Sequence, residues 1–202
     1  TGLARLNGDP IGVVANDCRI YAGAMTADAS MKMRKFIEFV NTFNLPVVSF
    51  VDEPGFMIGP DSEKAGTIRH GTSAISALMQ SKVPWAAIVV RKVFGVAGAA
   101  HFAPDSYVLS WPSAETGTLP VEGGVAIAFK KEIESAKNPE EKRKELENML
   151  AKRSSPFPRA ESFAVHELID PRDSRIKLIN WLNLVIKTRV ANNDIFKTSM
   201  LP

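Results

Sequence analysis

Apolar positions along the chain fall into two rhythms, one near two residues and one near 3.6, and the switching between them lays out the elements. Pro46-Val47-Val48-Ser49-Phe50-Val51 is an almost unbroken apolar run, which predicts a strand covered on both faces. It runs into a loop punctuated by Gly and Pro, so that residues 50–60 read FVDEPGFMIGP. Trp85-Ala86-Ala87-Ile88-Val89-Val90 repeats the plan and feeds the small-residue turn Phe94-Gly95-Val96-Ala97-Gly98-Ala99-Ala100. Before the first junction, Met33, Phe36, Ile37, Val40 and Phe43 share one helical face, predicting a helix over residues 28–43. Asp28 or Ser30 is expected to cap it, and Asn44-Leu45-Pro46 to end it.

The remaining pattern fills in around these junctions. Residues 4–16 predict a hairpin turning at Asn7-Gly8-Asp9-Pro10, and residues 17–25 a loop. A helix is expected over residues 62–81, with Ile68, Ile75, Leu78 and Met79 toward the core. Residues 107–111 read as a strand, 112–124 as a loop with an extended piece, and 125–136 as a helix. Residues 139–153 form a charged helix with Leu146, Met149 and Leu150 as its apolar contacts, a solvated or interface face. Residues 159–170 carry a short helix and strand, and a helix over 174–190, capped by Asp173 or Ser174, closes a domain of residues 1–190. Residues 191–202 have no strong pattern and read as a tail. Alternating strands and helices make the class α/β, and repeated strand–strand–helix units fit a spiral of short sheets.

Composition narrows the partners. The net charge of +3 comes from bases interspersed with acids, which gives no nucleic-acid signature. Cys18 is alone, so no disulfide framework exists within the chain. No apolar run reaches the roughly 18 residues of a membrane span. The chain opens on Thr1 in strand context, as a piece of a longer polypeptide would.

Candidate chemistry is sparse in side chains. His70, His101 and His166 match no metal-binding spacing, so no metal site is expected. His101 with Asp105 and either Ser49 or Ser106 could be drawn as a triad, but no nucleophile elbow accompanies them. Gly95-Val96-Ala97-Gly98 lacks the Lys and Ser/Thr of a phosphate loop. Close strand–helix packing through small residues explains such a turn equally well. The turn can also offer backbone N–H groups at a helix start to a developing oxyanion, and Ala97, Gly98 and Ala99 leave room for a substrate. Phe56-Met57-Ile58-Gly59 is expected to face it as an apolar wall for a flat uncharged ring, with Asp52 and Glu53 in structural roles.

These same residues carry a resemblance. The matching pieces, in order, are Gly2-Leu3-Ala4-Arg5-Leu6-Asn7-Gly8; Ile11-Gly12-Val13-Val14-Ala15-Asn16; Ala29 with Lys32; Phe50-Val51-Asp52-Glu53-Pro54-Gly55-Phe56 with Gly59; and Gly66 to Ile68-Arg69-His70-Gly71. They continue with Arg91-Lys92-Val93-Phe94-Gly95; Trp111-Pro112-Ser113-Ala114-Glu115; Glu122-Gly123; and Ile169-Asp170-Pro171-Arg172 with Arg175. Together they span about residues 2–190, and the chain resembles the C-terminal half of the carboxyltransferase (β) subunit of biotin-dependent acyl-CoA carboxylases, of the propionyl-CoA carboxylase type.

The resemblance implies a crotonase-like fold of ββα units and a chain that supplies the biotin side of the site. The acyl-CoA side would come from the N-terminal carboxyltransferase domain of another subunit, usually within a homo-hexamer or a hetero-oligomer. It implies a biotin carboxyl carrier protein and a biotin carboxylase subunit that uses ATP and bicarbonate, in a bacterial or archaeal cytoplasm or the mitochondrial matrix. It assigns the oxyanion donors to the backbone N–H groups of Val96 and Ala97. Biotin contacts fall to Gly55, Phe56, Met57, Gly95, Gly98 and Ala99.

There are departures. The family turn usually reads Gly-Gly-Ala-Tyr-Asp, against Gly95-Val96-Ala97-Gly98-Ala99 here, and Pro120-Val121 replaces the usual Gly-Pro. The donors survive a valine only if its φ stays negative. A smaller wall at Gly98 and Ala99 is expected to leave room for a larger acyl chain. Three other activities stay open: a biotin-dependent decarboxylase or transcarboxylase subunit, a crotonase-type hydratase or isomerase, and a scaffold that only holds the oligomer.

Overall fold

The computed structural model describes residues 1–188. Strands β1 (Gly2–Leu6), β2 (Asp9–Ala15), β3 (Val47–Glu53), β4 (Trp85–Phe94), β5 (Tyr107–Ser110), β6 (Glu115–Gly117) and β7 (Glu167–Leu168) form one sheet in the order β1-β2-β3-β4-β5-β7, with β6 added on β4. The β1–β2 pair is antiparallel and the others are parallel. Asn7 and Gly8 both take positive φ, 52° and 94°, which is what a tight two-residue hairpin turn requires.

The β3 side chains alternate between two cores, as a strand buried on both faces must. Val47 joins Trp85, Val40, Ile37 and Leu78 under helices α1 (Ala27–Thr42) and α3 (Thr67–Met79). Val48 joins Ile88, Leu109, Trp181 and Leu182 under the last helix, Ser174–Thr188. Complete burial of such a side chain stabilises by about 1.5–3 kcal/mol, so these two layers fix the strand order.

β4 carries two neighbours on one side. Ala86–Val89 pair with β5, whereas Lys92–Phe94 pair with β6. β3 follows the change of direction through a register shift between Val51 and Glu53. β6 therefore extends the same sheet beside β4, past the end of its pairing with β5.

Several boundaries differ from the sequence expectation. The α1 cap is Thr26, whose Oγ1 accepts from Ala29 N at 3.1 Å, and Asp28 lies within the first turn, where its charge suits the helix dipole. Residues 62–81 are not one helix. α2 (Pro60–Lys64) is separated from α3 by Gly66 at φ 71°. The α3 face toward the core is Gly71, Ala74, Ala77 and Leu78, and Ile68 and Met79 are exposed. Small side chains let α3 approach the core closely, so its buried face is the small-residue one and not the one carrying Ile68 and Met79.

The loop expected at 112–124 contains β6 and the start of α4 (Val121–Ala128). The helix expected at 125–136 breaks at Phe129, after which α5 (Lys130–Ser135) follows. The charged helix α6 (Pro139–Ser154) buries Leu146 and packs on α4, and α7 is the short Pro156–Glu161. A 3-10 turn, Pro171–Asp173, capped by Asp170, leads into α8 (Ser174–Thr188). Ser174 is buried in this corner, where its Oγ accepts from Trp111 Nε1 and donates to Pro171 O. Residues 189–190 of the expected last helix and the tail at 191–202 lie outside the described residues.

Candidate active site

Parallel strands end side by side, and three segments gather at the C-terminal ends of β2, β3 and β4. They are the stretch from Asn16 to Met25, the loop from Pro54 to Gly59, and the turn that begins at Gly95. Their backbones interlock. Met25 N donates to Gly55 O at 3.0 Å, and Met57 N donates to Met25 O at 2.9 Å. Gly23 passes so close to β3 that a β-carbon there would sit 2.8 Å from Asp52 O.

Gly95 holds φ 63° and ψ −161°, a region essentially restricted to glycine, and its N–H donates to Gly117 O at 3.0 Å. A six-residue 3-10 helix, Val96–His101, follows at once. The first N–H groups of such a helix have no intrahelical acceptor. Val96 is outside the set of non-glycine residues with positive φ, so the backbone condition set by its side chain is met. Its side chain is 70% exposed, so the head of the helix is reachable. Ala97, Gly98 and Ala100 are buried behind it. The space a side chain at Gly98 would take is filled by Val93, whose Cγ1 would lie 2.8 Å from a β-carbon there. The glycine therefore opens no extra room, and Ala99, half-buried, is the remaining small residue on that wall.

Gly55, Phe56 and Met57 lie together on their loop. The Phe56 ring packs on Gly71 of α3. Ile58 is 85% exposed and, with Met57, Tyr21 and Pro60, borders a cleft of about 510 Å3. The flat-ring wall expected from Phe56 to Gly59 is thus divided between a helix contact and an open cleft.

The two loops are joined instead by a buried polar cluster. β3 places Ser49 and Glu53, both fully buried, toward α1 and α3, and His101 closes the 3-10 helix between them at 1% exposure. His101 Nδ1 lies 2.8 Å from Ser49 Oγ, and His101 Nε2 lies 3.6 Å from Glu53 Oε2. Glu53 Oε1 accepts from Gly55 N at 3.1 Å, and Oε2 accepts from Asn16 Nδ2 at 2.9 Å. Asn16 also donates to Gly23 O and accepts from Asp52 N.

Among the residues considered for a triad, Asp105 is exposed and Ser106 Oγ donates to Ala103 O. Glu53, not Asp105, is the carboxylate beside His101, and Ser49 is fully buried, without access to a substrate as a nucleophile. The signal for Glu53 and Asn16 was present in the sequence as motif residues, but only the β2–β3–β4 register brings them to His101.

Charges at the rim are paired. Asp52 takes Arg91 on both carboxylate oxygens and Lys92 N on one, and this contact pushes the Arg91 guanidinium up. Hydrogen bonds from Arg19 hold the Asp17 carboxyl down at about 2. Among the described residues no His, Cys, Asp and Glu group could hold a metal ion, and no helix is long and apolar enough to cross a membrane. The arrangement therefore offers backbone donors in a reachable turn, with the nearby carboxylates engaged elsewhere.

The sequence model of the carboxyl transferase domain matches residues 1–197. The chain belongs to the carboxyl transferase domain family. Among its relatives is the propionyl-CoA carboxylase carboxyltransferase subunit of Haloferax mediterranei, 36% identical over 198 residues, covering 96% of this chain and 38% of that protein. Another is the methylmalonyl-CoA decarboxylase subunit alpha of Propionigenium modestum, 33% identical over 92% of this chain and 37% of that protein. A transcarboxylase 12S crystal structure, described as a hexamer with methylmalonyl-coenzyme A and methylmalonic acid bound, superposes with a TM-score of 0.86. It is 34% identical, over 95% of this chain and 38% of its own. The fold of this family member is the crotonase-like α/β fold. The chain spans under two-fifths of the length of the relatives it matches.

Proposed function

We propose that the chain is the biotin-facing half of the carboxyltransferase subunit of a biotin-dependent acyl-CoA carboxylase. The observation that carries the reading is the Gly95 turn, where a strained glycine sets the N–H groups of Val96 and Ala97 at the head of a 3-10 helix with a reachable entrance. Carboxybiotin, delivered on a carrier protein, would supply the carboxyl group and the base for the acyl-CoA α-carbon. The turn fits a ureido oxygen because it offers two adjacent donors and no competing acid.

The chain's own contribution is positional. Val96 and Ala97 N–H donate to the oxygen on which negative charge develops, and they need no reorganisation to do so. Gly95 and Ala99 keep side chains out of the approach, and Gly98 lets the turn close onto Val93. Gly55 and Met57 hold the neighbouring loop to Met25, which fixes the far side of the entrance, and Phe56 anchors that loop on α3. The acyl-CoA and the N-terminal carboxyltransferase domain of another subunit complete the site. A hexamer, a biotin carboxylase using ATP and bicarbonate, and a cytoplasmic or mitochondrial-matrix setting belong to this same reading.

A hydratase or isomerase needs a free carboxylate beside the hole. Asp52 is held by Arg91 and Glu53 is enclosed, which counts against that chemistry. A decarboxylase or transcarboxylase uses the same turn with carboxyl flow reversed, and the relationship to a decarboxylase subunit keeps it as the second reading.

The test uses the full subunit with a biotinylated carrier charged with labelled carboxyl, offered a panel of acyl-CoAs. Label on an acyl-CoA is expected. Label released only from a carboxylated acyl-CoA onto the carrier selects the second reading, and no transfer in either direction defeats both and leaves a scaffold.

A further inference from the structure

We propose that His101 is a positioning residue for the oxyanion turn, holding the 3-10 helix to the end of β3 through Ser49 and Glu53; this rests on the carboxyltransferase reading of that turn. Three groups that favour water are buried together here, Ser49, Glu53 and His101, with exposures of 0%, 0% and 1%. Apolar residues would fill the same space with less desolvation cost. Their arrangement has a feature that apolar packing would not supply: its polar contacts tie the 3-10 helix, the Gly55 loop and Asn16 to the end of one strand, β3.

Ser49 and Glu53 lie four residues apart on β3, and their side chains reach His101 from two sides, at Nδ1 and Nε2. The backbone oxygen of His101 accepts from Trp85 Nε1 on β4 at 2.9 Å. The C-terminal end of the 3-10 helix is therefore held to both central strands. Its N-terminal end is held to β6 by the Gly95 N to Gly117 O bond. A six-residue helix fixed at both ends cannot rotate without breaking one of these contacts, so the direction of the Val96 and Ala97 N–H groups depends on His101.

Glu53 extends the same control to the facing loop. Its carboxylate takes Gly55 N on one oxygen and Asn16 Nδ2 on the other. His101 Nε2 finds no hydrogen-bond partner within normal distance and is directed at Glu53 Oε2 across 3.6 Å. His101 also borders a cavity of about 270 Å3 with Asn16, Gly23, Met25 and Met33. That cavity gives the ring room to shift once its tethers are lost, and a shift of the ring carries the turn with it.

The test uses the full subunit in its oligomer with the biotinylated carrier. His101→Phe keeps the ring and removes both tethers, whereas His101→Asn keeps a polar atom near the Nδ1 position. A misplaced donor pair should lower kcat for His101→Phe about 10-fold to 100-fold while KM for the acyl-CoA stays within about twofold. His101→Asn should recover part of that loss. Amide hydrogen exchange over residues 96–101 should quicken about tenfold in His101→Phe while α8 keeps its protection.

Unchanged exchange over residues 96–101, or kcat at the wild-type level, overturns the proposal. So does an equal loss in both variants accompanied by faster exchange throughout, the mark of a purely structural role. If His101→Phe does not fold, Ser49→Ala removes one tether with little change in volume, and the same split between kcat and KM and the same local exchange decide. A wild-type subunit that transfers no carboxyl group defeats the carboxyltransferase reading, whereas the exchange measurement still judges His101 on its own.

Discussion

The ring of Phe56 lies so close over Gly71 that a β-carbon at Gly71 would come within 2.3 Å of its Cε1 and Cζ atoms. Gly71 sits inside α3, where alanine would ordinarily be favoured by about 1 kcal/mol. Overpacking costs about 1–3 kcal/mol, so the contact outweighs the propensity. Gly71→Ala is therefore expected to lower stability by about 1–2 kcal/mol. It should also displace the Phe56 loop, read as a lower denaturation midpoint together with weaker binding of the biotinylated carrier. A gain in stability would show that the loop yields freely.

Gly95→Ala separates backbone strain from space. A β-carbon there would meet Thr118 O at an ordinary 3.5 Å, so room is available. The conformation at φ 63° and ψ −161° is what an alanine resists, at about 1–3 kcal/mol. Thermal unfolding should register that loss, and carboxyl transfer should fall further than stability does because the turn relaxes. A variant with unchanged unfolding and turnover would place the turn's geometry outside the reaction.

Val96→Pro removes one proposed donor at a position where proline is well tolerated, the first residue of a helix. Loss of one oxyanion donor costs about 100-fold to 1,000-fold in kcat. That fall is expected with circular dichroism and oligomer size unchanged. Turnover at the wild-type rate in an intact oligomer would remove the oxyanion role from this amide.

Tyr107 gives a test in the alkaline range. Burial, then the hydrogen bond to Glu167, raises its phenol from 10.0 to about 12, and Glu167 is itself held down by Lys177 first and Tyr107 second. The folded state thus keeps the Tyr107 proton more tightly than the unfolded chain. Its contribution is fully present below pH 10 and is lost as pH rises from 10 to 12. Urea unfolding of the wild type should weaken across that window, and Tyr107→Phe should weaken less steeply. Parallel slopes for the two proteins would contradict the assignment.

The elements that position the site were legible where local pattern and long-range packing agree. Ile37 and Val40 fall where helical period puts them, and Val47 and Val48 enter opposite cores as an unalternating strand requires. The α3 face was not legible, because the helix packs through small residues, Gly71, Ala74 and Ala77 beside Leu78, and leaves the bulkier Ile68 and Met79 outside. Phe56 was readable as an apolar loop residue, but its direction depends on the groove that Gly71 leaves in another element. The cluster of Ser49, Glu53 and His101 lies beyond any local signal. His101 comes from a turn 48 residues after Glu53, and only the parallel register of β3 on β4 brings the two together.

Strand β4 pairs first with β5 and then with β6 along its length. It acts as a ruler, since the number of residues between its pairing with β5 and its pairing with β6 sets how far Gly95 projects past the sheet. One inserted residue would advance the turn by about 3.3 Å and exchange the two faces of everything beyond it. Gly95 would then leave Gly117, and His101 would leave Ser49. The position of the turn is thus set by the count of residues along β4, and its shape by Gly95 at its head.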